Sequence, residues 1–351
     1  MKRTFIKIAS RKIGGCYPTF IVAELSANHA HNFQTAVKSL KAIKDSGADA
    51  VKFQTFTPDT ITLDAHNRYF KIGQGSLWSG KTLYQLYKEC FMPWQWQPKL
   101  KKIAQDLGLV CFSTPFDKSA VDFLEKMRVP AYKIASLEIT DIPLIEYVAA
   151  KGKPVMISTG IANFKDIQEA LAACRRVGNR QVALLKCTSA YPTPLDEVNL
   201  NLIPRLESDF DCVVGLSDHS LNISVPPAAV ALGAKIIEKH FILDRKLKSP
   251  DVQFSLEPDE FKMMVCAIRD TEKALGDNKY SRTKAEQASR AFARSLFVVR
   301  DIKKGERFTL ENVRSIRPGF GLSPKHLSGI LGKKSAWDIK KGIPLRGRFI
   351  K

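Results

Sequence analysis

Two histidines in this chain each close a short apolar run. Val213-Val214-Gly215-Leu216-Ser217-Asp218 leads into His219, and Lys235-Ile236-Ile237-Glu238-Lys239 leads into His240. Short apolar runs read as buried parallel strands, and a polar group just past such a run sits at the strand's carboxyl edge. Neutral imidazoles arriving there from successive strands can share a metal ion, against the plainer reading of two core or surface histidines. Other runs end in the same way. Glu24 closes the first, Lys52 and Gln54 the second, and Ser113 and Thr114 the third. Lys133 lies in the fourth, followed by Ser136 and Glu138; Ser158 and Thr159 close the fifth; Lys186, Cys187, Thr188 and Ser189 close the sixth. Polar side chains in apolar runs are costly to bury without partners, so packing alone does not explain them at every run end.

Their types sort by chemistry. Lys52 and Lys133 supply point charge, and the hydroxyls of Ser136, Ser158 and Ser217 supply directed donors, a combination suited to a phosphate or phosphate-carboxylate. Glu24 and Glu138 offer acid–base chemistry, although either alone would more often be a salt-bridge partner. Lys186 and Lys239 fit better as strand-end charges reaching solvent. The combined reading is metal-assisted chemistry on a phosphorylated anion.

Eight apolar runs must position these groups: Phe20–Ala23, Ala50–Phe53, Leu109–Phe112, Ala131–Ala135, Pro154–Ile157, Val182–Leu185, Cys212–Leu216 and Lys235–Ile237. Amphipathic stretches separate them, and Pro258–Leu275 has helical spacing after the last. Alternating strands and helices imply a parallel sheet, and eight repeats imply an α/β barrel of the (β/α)8 TIM type, with its site at the carboxyl ends of the strands. The interval from Thr57 to Leu107 is too long for one crossover helix and is rich in aromatics, among them Trp78, Tyr84, Tyr87, Trp94 and Trp96. Such a segment either covers substrate or packs against the barrel or a second subunit. The expected organisation is a barrel over 1–280, a polar, basic linker over 281–293 and a loop-rich module over 294–351, marginal alone and docked on something.

With 55 Lys and Arg against 35 Asp and Glu, the formal charge is +20. Those charges are spread along the chain without an arginine-rich tail or a nucleic-acid-binding signature, so specific nucleic-acid binding is not expected. Steering of a small anion accounts for them equally well. No apolar stretch reaches bilayer length, and the basic start from Met1 to Lys7 lacks the apolar segment of a signal peptide. Seven cysteines with no Cys-x-x-Cys pair fit a reducing, cytoplasmic setting.

The strings around these residues resemble the sialic acid synthase family. They are Ala23-Glu24-Leu25-Ser26-Ala27-Asn28-His29, Val51-Lys52-Phe53-Gln54, Lys133-Ile134-Ala135-Ser136, Ser158-Thr159-Gly160, Gly215-Leu216-Ser217-Asp218-His219 and Glu238-Lys239-His240-Phe241. Their order and spacing match along nearly the whole chain, and the C-terminal module, with Arg317-Pro318-Gly319, resembles the family's antifreeze-like (SAF) domain. Thr82–Glu89, Pro93–Trp96, Phe116–Phe123 and Phe254–Pro258 resemble most the branch of the family that makes pseudaminic acid.

The resemblance implies condensation of phosphoenolpyruvate with the open-chain aldehyde of an acetamido sugar, giving a nonulosonic acid and phosphate by C–O cleavage. It assigns Lys52, Gln54, Lys133, Ser136, Ser158, Thr159, Ser189 and Ser217 to phosphoenolpyruvate, and Glu24 and Glu138 to proton transfers. Tyr191 and Asp251 fall on the sugar side, and His219 and His240 on a divalent metal such as manganese, magnesium or cobalt. Arg317 matches an arginine that one subunit offers to its partner's site, implying a domain-swapped homodimer. Two departures stand out. Ser249-Pro250-Asp251 replaces the family's usual Gly-Pro-Asp, which puts the sugar contact of Asp251 in question. Ala30-His31-Asn32 replaces a small-residue turn, with His31 read as facing solvent. Competing readings are an N-acetylneuraminate or legionaminic acid synthase, a metal-dependent aldolase, and a polyanion-binding protein. Antifreeze activity does not follow from a shared fold.

Overall fold

Each of the eight apolar runs forms a strand in the computed structural model, which describes residues 5–276 and 279–351. A hairpin that the apolar pattern did not announce precedes them: β1 (Phe5–Ile8) pairs antiparallel with β2 (Arg11–Gly14). The eight are β3 (Phe20–Glu24), β4 (Ala50–Thr55), β5 (Val110–Pro115), β6 (Tyr132–Ile134), β7 (Val155–Ser158), β8 (Val182–Cys187), β9 (Val213–Asp218) and β10 (Ile236–His240). They close into one barrel in chain order, β10 pairing parallel with both β3 and β9.

Because strand side chains alternate, every second residue points into the barrel. The inward apolar set is Phe20, Val22, Ala50, Phe112, Ala131, Met156, Ala183, Leu185, Val213 and Ile236, and the hairpin's Ile6, Ile8 and Ile13 join it as a plug. Gly215 belongs to this interior: a Cβ there would lie 2.4 Å from the Ile236 carbonyl oxygen and 2.6 Å from Leu185, so only glycine fits. The outward set, such as Ile21, Val51, Ile157, Leu184, Val214 and Ile237, packs under the surrounding helices.

The helices start where their caps dictate. Asn32, Asp117, Asp141 and Asn163 each accept backbone N–H groups of the turn that follows. In the long interval, Thr82 and Gln85 form a capping box that starts the helix Leu83–Cys90.

The chain divides into two compact units, the first ending at Gly276 and the second running to Lys351. The expected linker 281–293 holds a short helix, Lys284–Ser289, because Thr283 and Glu286 form a capping box. The second unit is built on β11 (Ser295–Val298) paired antiparallel with β12 (Val313–Ile316), around Leu296, Val298, Ile302, Phe308, Val313 and Leu345. Among the described residues no helix is long and apolar enough to cross a membrane.

Candidate active site

One step further along each strand, the inward positions change from apolar to polar. The parity that buries Phe20 and Val22 brings Glu24 to the next inward place on β3. The same count gives Lys52, Thr114, Lys133, Ser158, Cys187, Ser217 and Glu238 on the other strands, all of them buried. All eight strands thus contribute to one polar layer. Above it, Gln54, His219 and His240 face a cavity of about 200 Å³ at the carboxyl end of the barrel.

The layer is internally paired. Lys52 Nζ lies 2.7 Å from Glu24 Oε2 and 3.6 Å from Glu238 Oε1, and it donates to Thr114 Oγ1 at 2.9 Å. Lys133 Nζ donates to Ser158 Oγ at 2.6 Å and lies 3.8 Å from Glu238. Ser217 Oγ donates to Glu238 Oε1 at 3.2 Å. Burial pulls the Lys52 pKa down, but Glu238 and Glu24 outweigh it and leave the ammonium more firmly charged than usual. Burial wins at Lys133 and lowers its pKa. At Glu238 burial is overcome by Lys133 and Lys52, so its carboxylate stays ionised. Glu24 goes the other way: burial, with the repulsion of Glu238, outweighs Lys52 and raises it to about 7. Burial likewise raises Glu138 to about 7.

The histidines stand side by side, ring centroids 5.3 Å apart. Burial lowers His219 to about 4 and His240 well below its ordinary value, so both are neutral imidazoles at neutral pH. His219 Nδ1 faces the Thr188 carbonyl at 3.3 Å. His240 Nδ1 is buried without a hydrogen-bond partner, and Asp251 Oδ2 lies 3.6 Å from it. Two neutral rings facing one cavity fit a divalent cation whose other ligands are water and substrate oxygens. Among the described residues no group of three or more His, Cys, Asp or Glu is spaced to hold a metal unaided.

Of the residues singled out in the sequence, Lys52, Gln54, Lys133, Ser136, Glu138, Ser158, Tyr191, Ser217, His219, His240 and Asp251 line this cavity. Glu24 lies behind Lys52, and Ser189 reaches the edge through a 2.7 Å hydrogen bond with Ser136. Gly160 makes room for that serine pair, since a Cβ there would fall 2.3 Å and 2.4 Å from the two hydroxyls. Thr159 is turned away, its hydroxyl donating to the Leu185 carbonyl at 3.3 Å. Arg317 lies on the exposed loop after β12, in the second unit.

The Ser-Pro-Asp departure leaves Asp251 at the cavity. Ser249 Oγ donates to Asn28 Oδ1 at 2.6 Å, and the Asp251 N–H donates to Ser249 Oγ at 3.3 Å. His31 is exposed, its Nε2 3.0 Å from the Glu89 carbonyl. Lys239 does not reach solvent: it is fully buried on the outward face of β10, 2.5 Å from Asp218. Lys186 is buried too, beside Thr188. Three members of the layer, Glu238, Thr114 and Cys187, stand at or beside run ends in the sequence but carry no assigned role there. Strand parity, once the strand's bounds are known, is the signal, since Glu238 is two residues before His240.

A closed parallel barrel that gathers two lysines, four carboxyls and serine hydroxyls at its carboxyl mouth defines a barrel enzyme acting on a small anion. The NeuB family model matches residues 39–280, and a SAF domain model matches residues 293–350. The chain belongs to the NeuB family. It is 47% identical over 327 residues to a pseudaminic acid synthase of Campylobacter jejuni, covering 93% of this chain and 95% of that protein. It is 45% identical over 329 residues to a pseudaminic acid synthase of Helicobacter pylori, covering 93% and 96%. Among solved structures, an N-acetylneuraminic acid synthetase from Leptospira borgpetersenii in complex with citrate superposes with a TM-score of 0.74 at 32% identity, covering 82% of this chain and 95% of that one.

Proposed function

We propose that this chain is a transferase that condenses phosphoenolpyruvate with 2,4-diacetamido-2,4,6-trideoxy-β-L-altropyranose and water to give pseudaminic acid and phosphate. The observation that carries the reading is the single inward layer in which Lys52 and Lys133 stand among serine hydroxyls beneath two neutral histidines. The similarity to named pseudaminic acid synthases over most of the chain supports the choice of sugar.

Lys52 and Lys133 hold the charge of phosphoenolpyruvate, and the hydroxyls of Ser136, Ser158, Ser189 and Ser217, with the Gln54 amide, orient it. Thr159 leaves this set because its hydroxyl is committed to the barrel wall. Glu238 favours the charged form of both lysines, against the burial that opposes it. Tyr191 and Asp251 flank the histidines and orient the sugar aldehyde. A divalent cation (manganese, magnesium or cobalt) held by His219 and His240 would supply Lewis acidity to the aldehyde oxygen. Carbon 3 of phosphoenolpyruvate then adds to the aldehyde carbon, water adds at carbon 2, and phosphate departs with the bridging oxygen. Glu24 and Glu138, both raised to about 7, are poised to take the proton from water and return one to the new hydroxyl.

Arg317 is proposed to serve the mouth of a second subunit in a homodimer. It lies between the exposed apolar residues Ile316 and Phe320, and on the first unit Leu137, Ile161, Leu195 and Leu221 are exposed in the loops after β6 to β9. The setting proposed is cytoplasmic, which seven free cysteines support.

The test is phosphate release from phosphoenolpyruvate with three sugars: the altrose-type diacetamido sugar, N-acetylmannosamine and the legionaminic acid precursor, each with and without added manganese after chelation. Release with the first alone, restored by manganese in the wild type and not in His240→Ala, is expected. Preferential turnover of either other sugar moves the chain to that branch; sugar-independent release contradicts the condensation.

A further inference from the structure

The cavity has two unlike surfaces. Its base is the charged layer, whereas the segment between β4 and β5 builds an apolar wall. Ile61 contributes from the helix Pro58–Ile61, and Leu86, Tyr87 and Cys90 share a face of the helix Leu83–Cys90. Trp78 completes the wall from the intervening loop. Its indole N–H donates to the Pro250 carbonyl at 3.0 Å, and its ring lies 6.0 Å from Tyr191 and 6.5 Å from Phe254, centroid to centroid. Phe56 and Phe116 extend the wall, packed edge-on at 5.2 Å. Trp94 and Trp96 do not line it and pack instead on the barrel side: Trp94 donates to the Phe56 carbonyl at 3.0 Å, and Trp96 packs on Phe33 and His29. The segment therefore divides between covering the cavity and packing.

This wall offers a ligand few polar partners. The Trp78 N–H is already spent, and the Cys90 thiol, raised in pKa by burial, is a weak donor. The Tyr87 hydroxyl is the strongest group left. A sugar whose aldehyde end lies at the histidines and lysines must direct its other end away from the charged base, toward side chains of this kind. A hydroxymethyl group there would lose its water without recovering its hydrogen bonds, whereas a methyl group gains by burial.

We propose that Ile61, Trp78, Leu86 and Tyr87 form the specificity element for the far end of the sugar, accepting a terminal methyl group and disfavouring a terminal hydroxymethyl group. The inference rests on the condensation reading and assigns its sugar preference to particular residues. The Phe254–Pro258 stretch contributes less, since Phe254 packs on His240 at 4.8 Å and so belongs to the aldehyde end.

The experiment compares kcat/KM for two acetamido sugars that differ only in methyl against hydroxymethyl at the terminal carbon. The wild type should favour the methyl sugar by about 10- to 100-fold, the range an apolar pocket achieves against an added hydroxyl. Ile61→Ser and Leu86→Gln should each compress that ratio at least about fivefold, chiefly through KM for the methyl sugar, with KM for phosphoenolpyruvate unchanged. Ile61 is only half-buried, so its variant keeps the test open should Leu86→Gln fail to fold. An unchanged ratio in a folded Ile61→Ser enzyme overturns the assignment. A wild type that condenses phosphoenolpyruvate with neither sugar overturns the condensation reading, and this inference with it.

Discussion

The two ends of the barrel interior are built from the same eight strands and have opposite characters. At the amino end, Phe20, Phe112, Met156 and Leu185 meet the hairpin residues Ile6, Ile8 and Ile13 in an apolar plug. At the carboxyl end, Glu24, Lys52, Lys133 and Glu238 are just as buried but carry charges that cost energy to desolvate. Alternation along the strands makes the change abrupt, because one inward step separates Val22 from Glu24 and Ile236 from Glu238. The contrast teaches that the plug and the outer core supply stability, while the mouth spends part of it on holding ionised groups ready for an anion.

The mouth should respond first in activity. Lys52→Met removes the cation facing Glu24 and Glu238 and should lower kcat/KM by about 10²- to 10³-fold or more per folded molecule. Mixed with Arg317→Ala, it should regain partial activity through hybrid dimers; absence of recovery in a mixed dimer contradicts a mouth shared between subunits. The plug should respond in stability instead. Ile8, fully buried on the hairpin, should cost about 2–5 kcal/mol as Ile8→Ala, read by denaturant unfolding, with kcat/KM per folded molecule unchanged. A loss of activity without a loss of stability there would erase the distinction between the two ends.

The smallest effect is a pH dependence. Folding raises Glu138 from 4.5 to about 7. Below pH 4.5 the group is protonated in both states and costs nothing. Between 4.5 and about 7 the unfolded chain ionises first, so stability falls as pH rises, and above about 7 the loss levels off. Glu138→Gln should remove that decline, gaining on the wild type by at most about 3 kcal/mol between pH 4.5 and pH 8. A constant difference across the range would show that burial does not hold the carboxyl neutral.

The eight strands were legible because buried parallel strands leave short apolar runs, and the mouth residues because each interrupts or closes one. The hairpin was missed because Phe5-Ile6-Lys7-Ile8 alternates over only four residues. Glu238 stood beside His240 at the end of its run without a role, because the sequence alone does not give the strand parity that turns both toward the cavity. Lys239 in fact pairs with Asp218 on the neighbouring strand, a relation that depends on register and outward parity. The helix at Lys284–Ser289 was hidden in a polar stretch whose only structural signal is the Thr283–Glu286 capping box. The wall formed by Ile61, Trp78 and Leu86 could not be read locally, because tertiary folding brings three separate pieces of the long interval to one cavity.

The central claim is that this mouth joins phosphoenolpyruvate to a sugar aldehyde and releases phosphate by breaking the carbon–oxygen bond. Phosphoenolpyruvate labelled with heavy oxygen at the bridging position tests it most directly, followed by mass analysis of both products. The label should appear in inorganic phosphate, with none in the sugar acid. Label retained in the sugar acid would mean cleavage at phosphorus, and the arrangement of Glu24, Glu138 and the lysines would need another explanation.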